Sequence, residues 1–242
     1  MIDPRRYLKT GITGFDDIIG NGILKESIIS LSGPTGCGKT TFAMQFLVEG
    51  ALKFQQPGLY ICLEDSKKSL LSNMSIFNWN LEKMEESKQL FFLDYPVHEV
   101  SQLLDKEGAV KEIISTMGIE RIVIDSIMPI ALYFKSEDER QREFLNFIAN
   151  MREWGTTTMV ISEDTNPDPN AVLPQTKFGL EKLTDGWVHI YYLRNEKGGR
   201  ERAIEVIKMK GSSFDSKIYP IEISDLGFSV LKKSISLKDL RR

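Results

Sequence analysis

The sequence predicts an α/β fold, a mainly parallel central sheet flanked by helices with antiparallel strands added on the C-terminal side. Three observations predict it. Short β-branched runs alternate with longer amphipathic segments up to Ser162, the rhythm of consecutive βα units. A glycine-rich phosphate loop separates the first strong strand from the first long helix. From Trp187 onward the helical pattern stops and strands follow one another through turn signals.

Taken in order, Ser27–Ser32 (SIISLS) reads as a buried strand, followed by a helix over Thr40–Lys53. Gly58–Leu63 (GLYICL) is the second strand, and Ser66 caps a helix reaching Trp79. Leu90–Leu93 is a short third strand. Arg121–Asp125 (RIVID) is a strand whose middle three residues are apolar and whose last is Asp125. Glu137–Trp154 carries Phe144, Leu145, Phe147, Ile148 and Met151 at helical spacing, and Thr157–Ser162 (TTMVIS) is another strand. Ser162–Lys177 has three prolines and little periodicity, so it is expected to be a long loop, a place where function concentrates. Trp187–Leu193 and Ala203–Met209 form a hairpin through Lys197-Gly198-Gly199-Arg200. Lys217–Ile223 and Phe228–Leu231 complete the helix-free run.

The chain has 242 residues, which fits one large α/β domain over residues 1–231 and a basic tail over 232–242. Hydrophobic residues make up 41% and charged ones 27%, enough to bury a core. A net charge of −3 argues against a surface that coats nucleic acid. The two cysteines, Cys37 and Cys62, lack metal-ligand spacing and read as small buried residues of a reducing compartment. No apolar run approaches the roughly 20 residues of a membrane span, and Met1–Arg6 lack the apolar stretch of a signal peptide. A cytoplasmic protein with no membrane contact is expected.

Gly33-Pro34-Thr35-Gly36-Cys37-Gly38-Lys39-Thr40 satisfies G-x-x-x-x-G-K-[ST]. Its glycines let successive N–H groups turn toward phosphate oxygens, and the helix that follows presents its positive end. The loop residues Thr35, Gly36, Cys37, Gly38, Lys39, Thr40 and Thr41 are the candidate ATP contacts. Lys39 is expected to reach the β- and γ-phosphates and the Thr40 hydroxyl to hold Mg²⁺. A thiol adduct on Cys37 would crowd the nucleotide, so alkylation is expected to block binding and ATP to protect. Asp125, at the end of an apolar strand, is the candidate carboxylate of the metal's water shell. Glu64 ends the strand after the phosphate-loop helix, at the same sheet edge, and is the candidate base for water. The rival for Glu64-Asp65 is a cap on the next helix, with Asp65 well suited to it. Lys208 and Lys210 lie two apart on one strand face, where two ammoniums need an anion or an acid to answer them. One answer is a neighbouring subunit's γ-phosphate; the equal alternative is an exposed basic edge that discourages aggregation.

As a set, these residues resemble a known family. Thr10-Gly11-Ile12-Thr13-Gly14-Phe15-Asp16, the phosphate loop, Leu63-Glu64-Asp65-Ser66, Val123-Ile124-Asp125-Ser126 and Lys208-Met209-Lys210-Gly211-Ser212 resemble, in order, the single-domain relatives of the KaiC ATPase in the RecA/RadA superfamily. The resemblance runs from Leu8 to Leu231. It implies a RecA-like core, ATP bound between subunits and ring-like or filament-like homo-oligomers, usually hexamers. It assigns water activation to Glu64 and contact with the neighbour's nucleotide to Lys208, Met209 and Lys210, with Ser212 and Phe214 near ribose or base. Asp65 replaces a second Glu, Lys210 an Arg, Phe214 a common His, and Ile76-Phe77-Asn78-Trp79 a small-Phe-Gly-Trp pattern. The residues phosphorylated in the clock protein's second domain correspond to Glu181-Lys182, so autophosphorylation of that kind is not expected.

The function expected is a Mg²⁺-dependent, slow ATPase acting as a regulatory module on a protein partner that the sequence does not name. A recombinase-like DNA-binding protein is the alternative. It is disfavoured because Glu163–Lys177 holds three acids and one lysine, although the tail is basic. A small-molecule kinase would show an Arg-rich lid, and none is evident. An ATP-binding scaffold with negligible turnover is the remaining reading.

Overall fold

Apolar side chains on both faces of a strand leave it nowhere to settle except between two helical layers. In the strand Arg121–Asp125, Ile122 and Ile124 face one way and Val123 the other, and all are fully buried. The computed structural model describes residues 3–104, 108–164, 173–194 and 198–235. In chain order the elements are β1 (Tyr7–Leu8), α1 (Phe15–Ile18), β2 (Ile23–Leu24), β3 (Ile28–Gly33), α2 (Lys39–Phe54), β4 (Gly58–Cys62), α3 (Lys67–Met74), α4 (Leu81–Glu86) and β5 (Leu90–Asp94). There follow α5 (Val100–Leu104), α6 (Ala109–Met117), β6 (Arg121–Asp125), α7 (Met128–Tyr133), α8 (Glu137–Glu153) and β7 (Thr157–Glu163). The chain then runs through β8 (Gly186–Arg194), β9 (Arg200–Met209), β10 (Ile218–Ser224) and β11 (Gly227–Val230).

Nine strands form one sheet in the order β11-β10-β9-β8-β3-β7-β6-β4-β5. The strands from β8 to β5 run parallel, and β9, β10 and β11 continue antiparallel at one edge, as expected. A small β1–β2 ribbon, not foreseen, stands apart. One core lies against α2, with Phe42, Phe46, Tyr60 and Val123. The other lies against α8, with Ile122, Ile124, Phe144 and Phe147. Because β3 sends its chain over to β4 past two strands that arrive later, the C-terminal ends of β3, β7, β6 and β4 share one edge. A crevice opens at such a switch of direction.

Several boundaries differ from expectation. The helix capped by Ser66 stops at Met74, not Trp79, because Phe77 and Trp79 turn inward and stack, with centroids 4.4 Å apart. Packing of two aromatics overrides continued helix there. Asp65 is not the cap; Ser66 Oγ accepts from Ser69 N–H at 3.2 Å, and Asp94 Oδ1 accepts from Lys67 N–H at 2.8 Å. The strand expected to end at Ser162 continues to Glu163, and an isolated bridge pairs Asp164 with Thr176 at the base of the loop. Residues 165–172, Lys197 of the hairpin turn and tail residues 236–242 lie outside the described residues. Among the described residues no helix is long and apolar enough to cross a membrane.

Candidate functional site

The phosphate loop leaves β3 at Gly33 and enters α2 at Lys39. Gly38 has φ +108°, and a Cβ there would stand 2.6 Å from Ile223 Cδ1, so only glycine fits. Lys39 Nζ donates to the carbonyls of Gly33 and Pro34 at 2.7 and 3.1 Å, folding the ammonium back over its own loop. Thr40 Oγ1 donates to Asp125 Oδ2 at 2.9 Å, and the Tyr60 hydroxyl donates to the same oxygen at 2.5 Å. Burial pushes the Asp125 carboxyl above its usual range; the Tyr60 and Thr40 hydrogen bonds pull against that. Ser126 donates its hydroxyl to Glu64 Oε1. A cleft of about 500 Å³ is lined by Thr35, Gly36, Gly38, Lys39, Thr40 and Thr41, and by Glu64 and Asp125 across from them. That volume lies in the range of small-molecule sites.

Cys37 belongs to the loop through its backbone, but its side chain is fully buried. Burial pushes the thiol up to about 11. The expectation that alkylation reports on nucleotide is thereby overturned, since a buried, protonated thiol is a poor nucleophile.

Two residues at the site escaped the sequence reading, Arg202 on the cleft wall and Tyr60 beside it on the Asp125 carboxylate. Tyr60 shares a strand face with Cys62, and period-two alternation toward Glu64 is the signal that would have found it. Arg202, opposite Tyr192 in the β8–β9 register, donates to the Gly36 carbonyl at 3.1 Å and stacks on the Tyr192 ring at 4.4 Å. Its guanidinium lies at the cleft wall.

The remaining candidates lie elsewhere. Lys208 pairs with Trp187 in register, near the start of the parallel strand β8, so it stands at the end of the sheet away from the loop. Six residues of strand separate it from Arg202, about 20 Å. Lys208 Nζ donates to the Glu181 and Lys182 carbonyls at 3.1 and 3.5 Å. Lys210 Nζ donates to Asp185 Oδ1 at 3.3 Å, where Arg152 also binds. Met209 is buried in its own core, Phe214 packs partly against that core, and Ser212 Oγ donates to the Ile19 carbonyl at 3.2 Å. Within one chain these residues and the phosphate loop do not meet.

A family model described as "ATPase: KaiC" matches residues 8–235. The chain is 31% identical over 231 residues to the circadian clock oscillator protein KaiC of Parathermosynechococcus lividus, covering 92% of this chain and 42% of that protein. It is 30% identical over 232 residues to KaiC of Prochlorococcus marinus strain MIT 9313, covering 92% and 45%. Among solved structures it is similar to a KaiC-like protein from Pyrococcus horikoshii OT3, with TM-score 0.81 and 29% identity over 93% of this chain and 99% of that one. The chain thus spans less than half the length of the curated relatives it matches, and nearly all of the archaeal structure.

Proposed function

This chain belongs to the KaiC family of ATPases, and we propose that it binds Mg²⁺-ATP in the phosphate-loop cleft and hydrolyses it slowly, with an active site completed by a second copy. The observation that carries this is the meeting of Thr40 and Asp125 at 2.9 Å in the cleft that also holds Lys39 and Glu64. A hydroxyl and a carboxylate form an oxygen donor set suited to Mg²⁺, which keeps several waters and leans on substrate phosphates. Thr40 and Asp125 would hold the ion. Once bound, it would neutralise charge on the β- and γ-phosphate oxygens.

The chain's own residues do the rest. The loop N–H groups and the start of α2 cradle the phosphates, and Lys39 moves from the Gly33 and Pro34 carbonyls onto them. Arg202 holds the loop at Gly36 and adds a second cation to the cleft. Glu64, oriented by the Ser126 hydroxyl, accepts a proton from the water that attacks the γ-phosphorus; the bond to the β-phosphate oxygen breaks and ADP departs.

Lys208 and Lys210 serve the nucleotide of a neighbouring copy. Their place at the sheet end away from their own loop supports this, as does the groove Lys208 shares with Arg140, Lys177 and Lys182, whose cations outnumber its acids Glu137 and Glu181. Met209, Ser212 and Phe214 shape the same interface. The assembly is a homo-oligomer, a hexameric ring by family resemblance, and nucleotide-dependent assembly makes the protein a regulatory module in the cytoplasm.

Two variants test the reading. Glu64→Gln keeps the shape and removes the basic site, so ATP should bind with near-unchanged affinity while turnover falls at least about 10²-fold. Lys39→Ala should lose ATP binding altogether in equilibrium dialysis. Normal turnover of Glu64→Gln would move the base elsewhere, and normal affinity of Lys39→Ala would remove the phosphate-loop assignment.

A further inference from the structure

Beneath the phosphate loop lies a buried polar chain that the proposed hydrolysis does not use. Trp187 Nε1 donates to Ser32 Oγ at 2.7 Å, and Ser32 Oγ meets His189 Nδ1 at 2.8 Å. His189 Nε2 stands 3.6 Å from Asp164 Oδ2, with the two side chains 3% and 4% exposed. The Ser32 oxygen has lone pairs for both the indole N–H and an Nδ1–H, so which of Ser32 and His189 donates follows the ring tautomer, while Nε2 faces Asp164. The register explains how the two ends meet. β3 lies between β7 and β8, with Glu163 opposite Gly33 and His189 opposite Ser32. Asp164 reaches His189 across the end of β3, where Gly33 offers no side chain in the way.

Asp164 Oδ1 has no hydrogen-bond partner among the described residues. A buried carboxylate oxygen in that state is costly unless a cation or a proton answers it. The cation on offer is Lys39, whose ammonium rests on the Gly33 and Pro34 carbonyls beside the Glu163–Gly33 pairing. Burial pushes the Asp164 carboxyl up to about 7, with Lys39 pulling down and Glu181 and Glu163 pushing up. Burial and the Lys39 charge push His189 down to about 3, so the ring is neutral and cannot replace the lysine. Around Asp164 stand Lys39 from α2, Glu163 from β7, Glu181 from the turn Leu180–Lys182, His189 from β8 and the buried Cys37 thiol of the loop. Glu181 accepts from the Thr176 hydroxyl, and Arg202 stands beyond, on the Gly36 carbonyl.

On the basis of the nucleotide reading above, we propose that Asp164 is a positioning residue of the phosphate site, which answers the Lys39 charge until phosphate arrives and then takes up a proton on Oδ1. A phosphate chain claims the lysine and brings its own negative charge, and both changes disfavour the carboxylate. One proton passes from solvent to Oδ1, forming an O–H bond; no other bond changes. By linkage, affinity is highest below about pH 7 and falls as pH rises above it, by at most roughly tenfold per unit. It levels off again above the liganded pKa.

The test is calorimetric titration of the wild type and Asp164→Asn with Mg²⁺ and a non-hydrolysable ATP analogue, from about pH 6 to about pH 9, in buffers of different ionisation enthalpy. The ligand's own titration is common to both proteins. The wild type should take up more protons than the variant, about half a proton at pH 7 and approaching one at about pH 8, and lose affinity more steeply above neutral pH. Parallel pH profiles with equal proton counts would overturn the role of Asp164 and leave the cleft as a nucleotide site. Failure of the folded wild type to bind at any pH would instead overturn the nucleotide reading beneath it. Should Asp164→Asn not fold, Asp164→Ser supplies the comparison, and a wild-type count near zero around pH 7.5 overturns the proposal on its own.

Discussion

Arg121 heads the fully buried side chains by volume, and it carries a charge. Its guanidinium donates to Gln56 Oε1 and to the carbonyls of Phe46, Lys9 and Thr10, and it stacks over Phe46 and Phe54. Burial lowers it to about 10, so it stays protonated at neutral pH. One side chain therefore ties α2, the N-terminal segment and β6 together. Gly50 makes room for it, since a Cβ there would stand 2.4 Å from Arg121 Nε. Arg121→Met should cost about 3 kcal/mol or more, because several buried acceptors lose their donor at once. Urea denaturation measures this, and a loss under about 1 kcal/mol would show that the acceptors find water instead. Cys37 gives the opposite kind of expectation. Its buried thiol should resist iodoacetamide in the native protein, with or without Mg²⁺-ATP, and react only on unfolding. Peptide mapping after labelling decides it; rapid native labelling would put the thiol in the cleft.

At the scale of elements, the β10–β11 hairpin is held to α2 by a side chain acting as strand. Gln45, buried in α2, donates to the Phe228 carbonyl at 3.1 Å and accepts from its N–H at 2.6 Å, satisfying both backbone groups on an edge strand. Gly227 opens β11 just after the turn, at φ +106°, and a Cβ would meet Gln45 Oε1 at 2.4 Å and Trp79 Cζ2 at 2.9 Å. Gly227→Ala should therefore cost about 1–3 kcal/mol through backbone strain, more if Gln45 is displaced. The Phe228 amide should lose protection against hydrogen exchange before the central strands do. Unchanged protection at Phe228 would mean that the hairpin tolerates the shift. The same contact clarifies why the helix from Ser66 ends early: Trp79 must come inward to pack under this turn.

At the scale of the molecule, the candidate residues fall at two ends of one sheet. The phosphate loop, Asp125 and Glu64 stand at the C-terminal ends of parallel strands, while Lys208 and Lys210 end an antiparallel strand at the opposite edge. Mixing Glu64→Gln with a Lys208→Ala/Lys210→Ala double variant tests whether two copies share a site. Some interfaces in mixed assemblies pair an intact Glu64 with intact lysines, so ATPase activity should partly return. A cation in trans is worth about 10³–10⁵ in rate in related sites; lysine, a point charge without a planar fork, should give less. Loss of Lys210 leaves Asp185 its two bonds to Arg152, at 2.9 and 3.0 Å, which keeps the fold intact. No return of activity from exchanging subunits would confine the lysines to their own chain, as binders of the Glu181 carbonyl and Asp185.

What the sequence determined by itself was whatever depends on neighbours in the chain. Gly33 to Thr40 specify the loop, because its backbone turns and the helix after it are local. Ile122 to Ile124 specify a strand buried on both faces, and Asp125 as its polar end, by an unbroken apolar run. The Ser66 cap was equally legible. Only tertiary structure decided the rest, because the partners lie far apart in sequence. Nothing near Arg121 announces Gln56 or the Lys9 carbonyl, and nothing near Asp164 announces His189 across β3. Tyr60 reaches Asp125, and Arg202 the cleft, through strand order, which places β4 beside β6 and β9 beside β8. Cys37 turned inward because the loop's curl leaves its side chain facing the core, and long-range packing, not local pattern, fixes such directions.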